Sequence, residues 1–359
     1  MTFIIIYKIA IPQGMRNVKE KYVALEIKSF LAMQRIIVLC LFLMEACSAF
    51  GWGFFGHRRI NRMAVFTLPP EMITFYKHHI SFLVNNSVNP DQRRYAVKGE
   101  AERHYIDLDI YGKDAYNILP HRWTDAVKQY TEDTLKTYGI VPWHIEVMKV
   151  RLTNAFRRRD VEQILKLSAE IGHYIGDCNV PLHTTHNYNG QYTNQYGIHG
   201  FWESRCVELF SDDYDYFMER AHYIENTQEY VWDAVKQAHT ALDSVFRIER
   251  ELTLEMGEDK KWSFEARFGR TIKTYSYEFA YRFHERLNGQ IERQMRRAIQ
   301  MVGDFWYTCW VDGGKPDLDL LLGTEIRKEF EEENEKERDM AADVELQKTV
   351  RKHPESEVE

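Results

Sequence analysis

Glu170-Ile-Gly-His173-Tyr-Ile-Gly-Asp177-Cys-Asn-Val-Pro181-Leu-His183, followed by His199-Gly-Phe-Trp-Glu203, is the stretch on which the reading of this chain turns. Residues four apart lie on one face of an α-helix, so His173 and Asp177 point into one cavity, and so do His199 and Glu203. His183 falls just past a proline that ends the first helix. A single His/Asp pair reads as a satisfied polar core group, but two such pairs with a histidine between them read as a multinuclear metal site. Imidazole nitrogens mixed with carboxylate oxygens, with no thiolate required, suit zinc in an open catalytic site, and hence hydrolytic chemistry.

Outward from this stretch the pattern is mostly helical from Arg59 on, punctuated by Pro69-Pro70, Asn89-Pro90, Pro120, Pro142 and Pro181. It predicts an all-α fold in a single helical domain. Residues 144–157 and 160–177 read as successive helices, and 187–198 as a polar, tyrosine-rich loop that borders the site. The stretch 275–311 repeats apolar residues at helical spacing (Leu287, Ile291, Met295, Ala298, Val302, Phe305) and is expected to pack on the core. After Gly313-Gly314 the chain turns charged, and 325–359 reads as a solvated helix or a disordered tail. The expected organisation is an N-terminal extension with a signal peptide over 1–51, a catalytic domain over 52–323 and a charged tail over 324–359.

The signal reading rests on Ile-Ile-Val-Leu-Cys-Leu-Phe-Leu-Met at 36–44, which follows Gln34-Arg35 and is closed by Ser48-Ala49-Phe50-Gly51. That run is too short for a permanent membrane span and ends on small residues suited to cleavage. The alternative is a membrane anchor through Cys47. Met33 is the expected true start. Cleavage after Gly51 predicts export to a secreted or periplasmic location. It removes six Lys/Arg and three Asp/Glu, which takes the net charge from −7 to −10. An acidic protein has no long-range pull on polyanions, so a phosphate substrate must be held by metal ions and a few local cations. Cys178, Cys206 and Cys309 remain; they match no zinc ribbon or thiol redox motif, and a Cys178–Cys206 disulfide is open.

Three upstream stretches complete the pattern: Trp52-Gly-Phe-Phe-Gly-His57, Asp91-Gln-Arg-Arg94 and Glu102-Arg-His104-Tyr105-Ile-Asp107. With the central motifs, this order resembles the zinc-dependent phospholipase C and S1/P1 nuclease superfamily over roughly residues 52–210. Members of that superfamily begin at a tryptophan that binds metal through its own amine. The resemblance implies three Zn2+ per chain. Asp91, His104, His173 and Asp177 would hold one, His183, His199 and Glu203 a second, and the Trp52 amine and carbonyl with His57 and Asp177 a third, so that Asp177 bridges. A metal-bridging water would be the nucleophile, with Asp91 and Arg94 as the catalytic side chains. Asp91, after a proline, also has an ordinary reading as a turn or cap residue. The nine other histidines, among them His78, His79, His144 and His186, lack partners at ligand spacing and read as ordinary surface or core residues.

The resemblance further implies that Arg94, Tyr105 and Asp107 bind substrate, Arg94 at the phosphate and the other two at a base. Glu203 stands where the nucleases carry aspartate, which is a phospholipase C feature. The expected activity is therefore cleavage of single-stranded nucleic acid to 5′-phosphates, with hydrolysis of phosphatidylcholine-like lipids as the alternative. A catalytically dead metal-binding interaction protein is the reading of another class. No stable protein partner is expected.

Overall fold

In the computed structural model, which describes residues 53–267 and 270–344, the chain is mostly helical. Its main elements are α1 (Gly53–Ala64), α2 (Asn89–Arg93), α3 (Val141–Arg158), α4 (Val161–Cys178), α5 (Thr227–Met256), β1 (Trp262–Arg267), β2 (Arg270–Tyr275), α6 (Tyr277–Arg286), α7 (Gln290–Asp312) and α8 (Lys328–Val344). Short helical turns link them, notably Ala101–His104, Pro181–Thr184 and a π-helical turn Phe201–Arg205. None of the described helices is long and apolar enough to cross a membrane. The signal-peptide reading and Trp52 lie outside the described residues.

Helix α4 is the axis of the fold. From Leu167 to Cys178 every residue is buried, so this half of the helix contacts protein on all sides. Its start is fixed by Asp160, whose side chain accepts the Gln163 N–H at 3.2 Å, and α3 hands over to it through Arg159 in the left-handed conformation. Helices α1, α3 and α7 pack around it. The indole N–H of Trp306 on α7 donates to Ser168 O at 3.0 Å, and Tyr76 meets the Ser168 hydroxyl at 2.9 Å. Helix α1 approaches closely because Gly172 has no side chain: a Cβ there would stand 2.3 Å from Asn61 Oδ1. Asn61 itself donates to His57 O at 3.2 Å, so this contact sets the height of His57 against His173.

The helices expected at 144–157 and 160–177 are present within a few residues of those bounds, and 187–198 is a loop. The stretch 275–311 packs on the core as expected, with Leu287, Ile291, Met295, Ala298, Val302 and Phe305 all buried; it forms two helices, α6 and α7, parted where Asn288 and Gly289 take positive φ. Two other features differ from expectation. An antiparallel hairpin precedes α6, with Trp262 opposite Tyr275 and Phe264 opposite Lys273. The charged tail is docked at its start: Phe330 and Asn334 on α8 are buried, the Phe330 ring stacks on Phe82 at 5.6 Å, and Glu337 reaches Lys166 Nζ at 2.6 Å. Cys178, Cys206 and Cys309 are buried free thiols, so the Cys178–Cys206 disulfide is not formed.

Candidate metal centre

Five segments converge on the buried end of α4. Helix α1 brings His57, α2 brings Asp91, the turn Ala101–His104 brings His104, α4 brings His173 and Asp177, and the turn Pro181–Thr184 brings His183. Each of these six is at most 2% exposed. His199 and Glu203 come from a short α-turn running into the π-helical turn, where the extra residue per turn still leaves His199 Nε2 3.0 Å from Glu203 Oε2. All eight described candidates from the sequence are therefore gathered in one place. They form three sets whose ligand atoms lie within 4.8 Å of one another: His57, His173 and Asp177; Asp91, His104 and His173; and His183, His199 and Glu203.

Several of the spacings are those of groups sharing a cation, whereas His104 Nδ1 stands at hydrogen-bond distance from Asp177 Oδ2 (2.9 Å) and His173 Nε2 (3.0 Å). Two donors on one tetrahedral divalent ion such as zinc, at bond lengths of about 2.0–2.2 Å, stand about 3.3–3.6 Å apart. His57 Nε2 to Asp177 Oδ1 is 3.4 Å, His173 Nε2 to Asp177 Oδ2 is 3.3 Å, and Asp91 Oδ1 is 3.6 Å from both His104 Nδ1 and His173 Nε2. Across the second cluster, His183 Nε2 to Glu203 Oε2 is 3.4 Å. Both ring nitrogens of His57 and both oxygens of Asp91 are buried with no hydrogen-bond partner among the described residues. Leaving such atoms buried and unpaired is costly, and a bound cation would offset that cost at His57 Nε2 and at an oxygen of Asp91. The donors are nitrogen and oxygen only, which suits a borderline divalent metal.

Backbone acceptors orient the rings. His173 Nδ1 donates to Ser87 O at 2.8 Å and His183 Nδ1 to His104 O at 2.5 Å, which turns the Nε2 of each toward the cluster. His104 is turned the other way, with Nδ1 inward and Nε2 3.7 Å from Glu100. Glu100 in turn receives Arg93 Nε at 3.0 Å, and Arg93 also binds Glu170 at 2.6 Å and Glu337 of α8 at 3.1 Å. The sequence reading missed this supporting network, although Glu100 and His104 stand at helical spacing.

Electrostatics divide the carboxylates. Burial pushes Asp91 up to about 7 and Glu203 up to about 7. Burial acts on Asp177 in the same direction, but the facing His173 and His183 outweigh it and hold Asp177 well below the usual range. His173 drops to about 3 through burial and the neighbouring His57. A neutral imidazole beside an ionised carboxylate is the state that binds metal.

The expected substrate residues are all buried. Arg94 is 6% exposed, and although burial opposes its charge, Tyr95, Asp91 and Asp177 raise its pKa. Tyr105 is 5% exposed and donates its hydroxyl to Thr137 O at 3.2 Å, so its ring has little free face. Asp107 is fully buried and lies 3.3 Å from His186 Nδ1, a partner that the sequence spacing did not reveal. The His186 ring stacks on Tyr192 of the tyrosine-rich loop at 5.4 Å, and Tyr188 stands edge-on to His199 at 5.7 Å. No protein-family model matches this chain, and no curated protein matches it either.

Proposed function

We propose that this chain is a secreted zinc-dependent phosphodiesterase of the S1/P1 nuclease and phospholipase C type, cleaving single-stranded nucleic acid to 5′-phosphates at a centre of three zinc ions. The supporting observation is the gathering of three buried ligand sets, two of which share His173, with Asp177 within reach of both through its two oxygens. Asp91, His104 and His173 with Asp177 would hold one ion, His183, His199 and Glu203 the second, and His57 and Asp177 with the amine and carbonyl of Trp52 the third. What zinc supplies when bound is Lewis acidity toward phosphoryl oxygens and a water that loses its proton near neutral pH.

The side chains have separate tasks. Asp177 spans two ligand sets and neutralises charge in both. Asp91 has two oxygens free of hydrogen bonds among the described residues, enough to ligate with one and accept a hydrogen bond from water with the other. Arg94, in the field of both aspartates, is suited to donate in parallel to two phosphate oxygens. Export follows from the apolar run at 36–44 and the small residues after it.

The phospholipase C reading is supported by Glu203 and by the burial of Tyr105, which leaves little surface for stacking a base. The interaction-protein reading is disfavoured by the eight filled ligand positions, since a dead site has no need of them. Assaying the mature zinc-loaded protein side by side on single-stranded DNA, RNA, 3′-mononucleotides and phosphatidylcholine micelles decides among the three. Release of 5′-phosphates from single strands is expected. Lipid cleavage without nucleic-acid cleavage transfers the site to the alternative, and inactivity on all four supports the dead-site reading.

A further inference from the structure

A second cleft lies between α5 and α7 and contains none of the candidate metal ligands. One wall carries Lys236, Gln237 and Thr240, and the other carries Gln290, Arg293 and Arg297, at spacings that put each trio on one face of its helix. Its volume, ≈ 420 Å³, is within the range of small-molecule sites. No carboxylate lines it.

The three cations make only neutral contacts among the described residues. Lys236 Nζ sits 4.3 Å from the centre of the Tyr116 ring, Arg293 donates to Asn288 O at 2.5 Å, and Arg297 donates to Gln294 Oε1 at 2.7 Å. In a chain of net charge −7, three cations facing one another without a counter-charge are a local reversal of the field. Arg297 is half-buried, and burial together with Arg293 lowers its pKa, as expected where positive charge lacks a partner.

The cleft is also braced. Gln290 donates to Ser244 Oγ at 2.7 Å and Ala241 O at 3.2 Å, tying one wall to the other, and accepts from the Trp202 indole at 3.1 Å. Trp202 precedes Glu203. On α5, His239 meets Thr184 at 3.0 Å, and Thr184 follows His183. Both walls are thus pinned to segments that carry candidate metal ligands.

We propose that this cleft is an anion site that takes a phosphate group, through the planar guanidinium forks of Arg293 and Arg297 on one wall and the Lys236 ammonium on the other. A phosphodiester of a nucleic-acid strand and free inorganic phosphate offer the same chemistry. The proposal does not depend on what the metal centre hydrolyses.

The test uses the zinc-loaded protein titrated calorimetrically with inorganic phosphate and with a short phosphorothioate oligothymidylate, chosen to resist hydrolysis, comparing wild type, Arg293→Gln/Arg297→Gln and Lys236→Gln. Phosphate would also bind at the proposed metal centre, so the expected result is loss of one class of phosphate sites, or its weakening by at least about tenfold, with zinc content unchanged. If oligothymidylate binding weakens too and its log–log salt slope falls by about 0.7 for each lost contact, the natural occupant is a strand; if only the phosphate titration changes, it is the free ion. The exposed Lys236→Gln change decides the matter if the double variant folds poorly. Wild-type binding of both probes by the folded variants overturns the proposal.

Discussion

Asp177 Oδ1 lies 3.4 Å from His57 Nε2, while its other oxygen lies 2.9 Å from His104 Nδ1. One carboxylate thus presents each oxygen to a different ligand set, whereas Glu203, among the described residues, pairs with His183 and His199. Asp177→Asn is therefore expected to abolish hydrolysis and to remove more than one zinc equivalent, with Glu203→Gln losing about one. Metal analysis and activity are read on the same preparations. Equal losses in the two variants would place the bridge on another residue.

A form beginning at Trp52 is expected to bind about three zinc ions, and a form with one added residue before it about two. An amide nitrogen cannot replace a free amine as ligand. The neighbouring Gly53 gives this prediction a physical setting. It takes φ +50, and a Cβ on it would lie 2.6 Å from Ser204 Oγ, next to Glu203. Equal zinc content in the two forms removes the proposed N-terminal ligand.

Gly172→Ala tests whether helix contact sets metal geometry. The added methyl meets the side chain of Asn61, which is fully buried, so either that side chain turns and loses its bond to His57 O or α1 moves off α4. A stability loss of about 1–3 kcal/mol is expected, together with weaker zinc retention against a chelator, because His57 and His173 stack at 3.8 Å across that contact. Unchanged zinc retention in a destabilised variant would make Gly172 a packing residue alone.

Much of this centre is legible in the sequence because its chemistry is local: His173 and Asp177 share a helix face, and so their convergence follows from spacing alone. The supporting shell is not local. Arg93 meets Glu170 and Glu337 across long stretches of chain, and Phe330 is buried with its ring stacked on the distant Phe82. Composition alone makes α8 look solvated, since its charges dominate and its one aromatic carries the docking. The break between α6 and α7 was readable from Asn288-Gly289, a turn signal hidden by the strong apolar period on either side. Burial of Tyr105 could not be read, because an aromatic next to a ligand has the same spacing whether it lines a cleft or fills the core.

His144 supplies a pH test at a residue outside the three candidate ligand sets. It is buried against the Tyr174 ring at 4.5 Å, and burial, aided by Arg103, lowers its pKa to about 3 from 6.5. Between those values the unfolded chain binds the proton and the folded chain does not, so stability falls as pH drops below about 6.5. The loss at pH 5 is on the order of 2 kcal/mol. His144→Leu is expected to flatten this slope in urea unfolding between pH 7 and 4. Parallel slopes for wild type and variant would assign the acid sensitivity to other groups.

Tyr105 tests how the proposed substrate is held. Stacking of a base is worth about 1–3 kcal/mol, and a ring that is 5% exposed places the expectation at the low end. Truncation to alanine would open a core cavity, so Tyr105→Leu is the cleaner change: it keeps most of the volume and removes the aromatic face. In the proposed nuclease, kcat/KM on an oligonucleotide should fall about fivefold relative to kcat/KM on bis(p-nitrophenyl) phosphate. The ratio cancels any general loss of folded enzyme, and zinc content should not change. If both substrates lose equally, Tyr105 only packs, and base recognition falls to the exposed tyrosines of the 187–198 loop, Tyr192 first. If the variant instead loses activity on phosphatidylcholine, the nuclease reading fails and the same metal centre belongs to a phospholipase C.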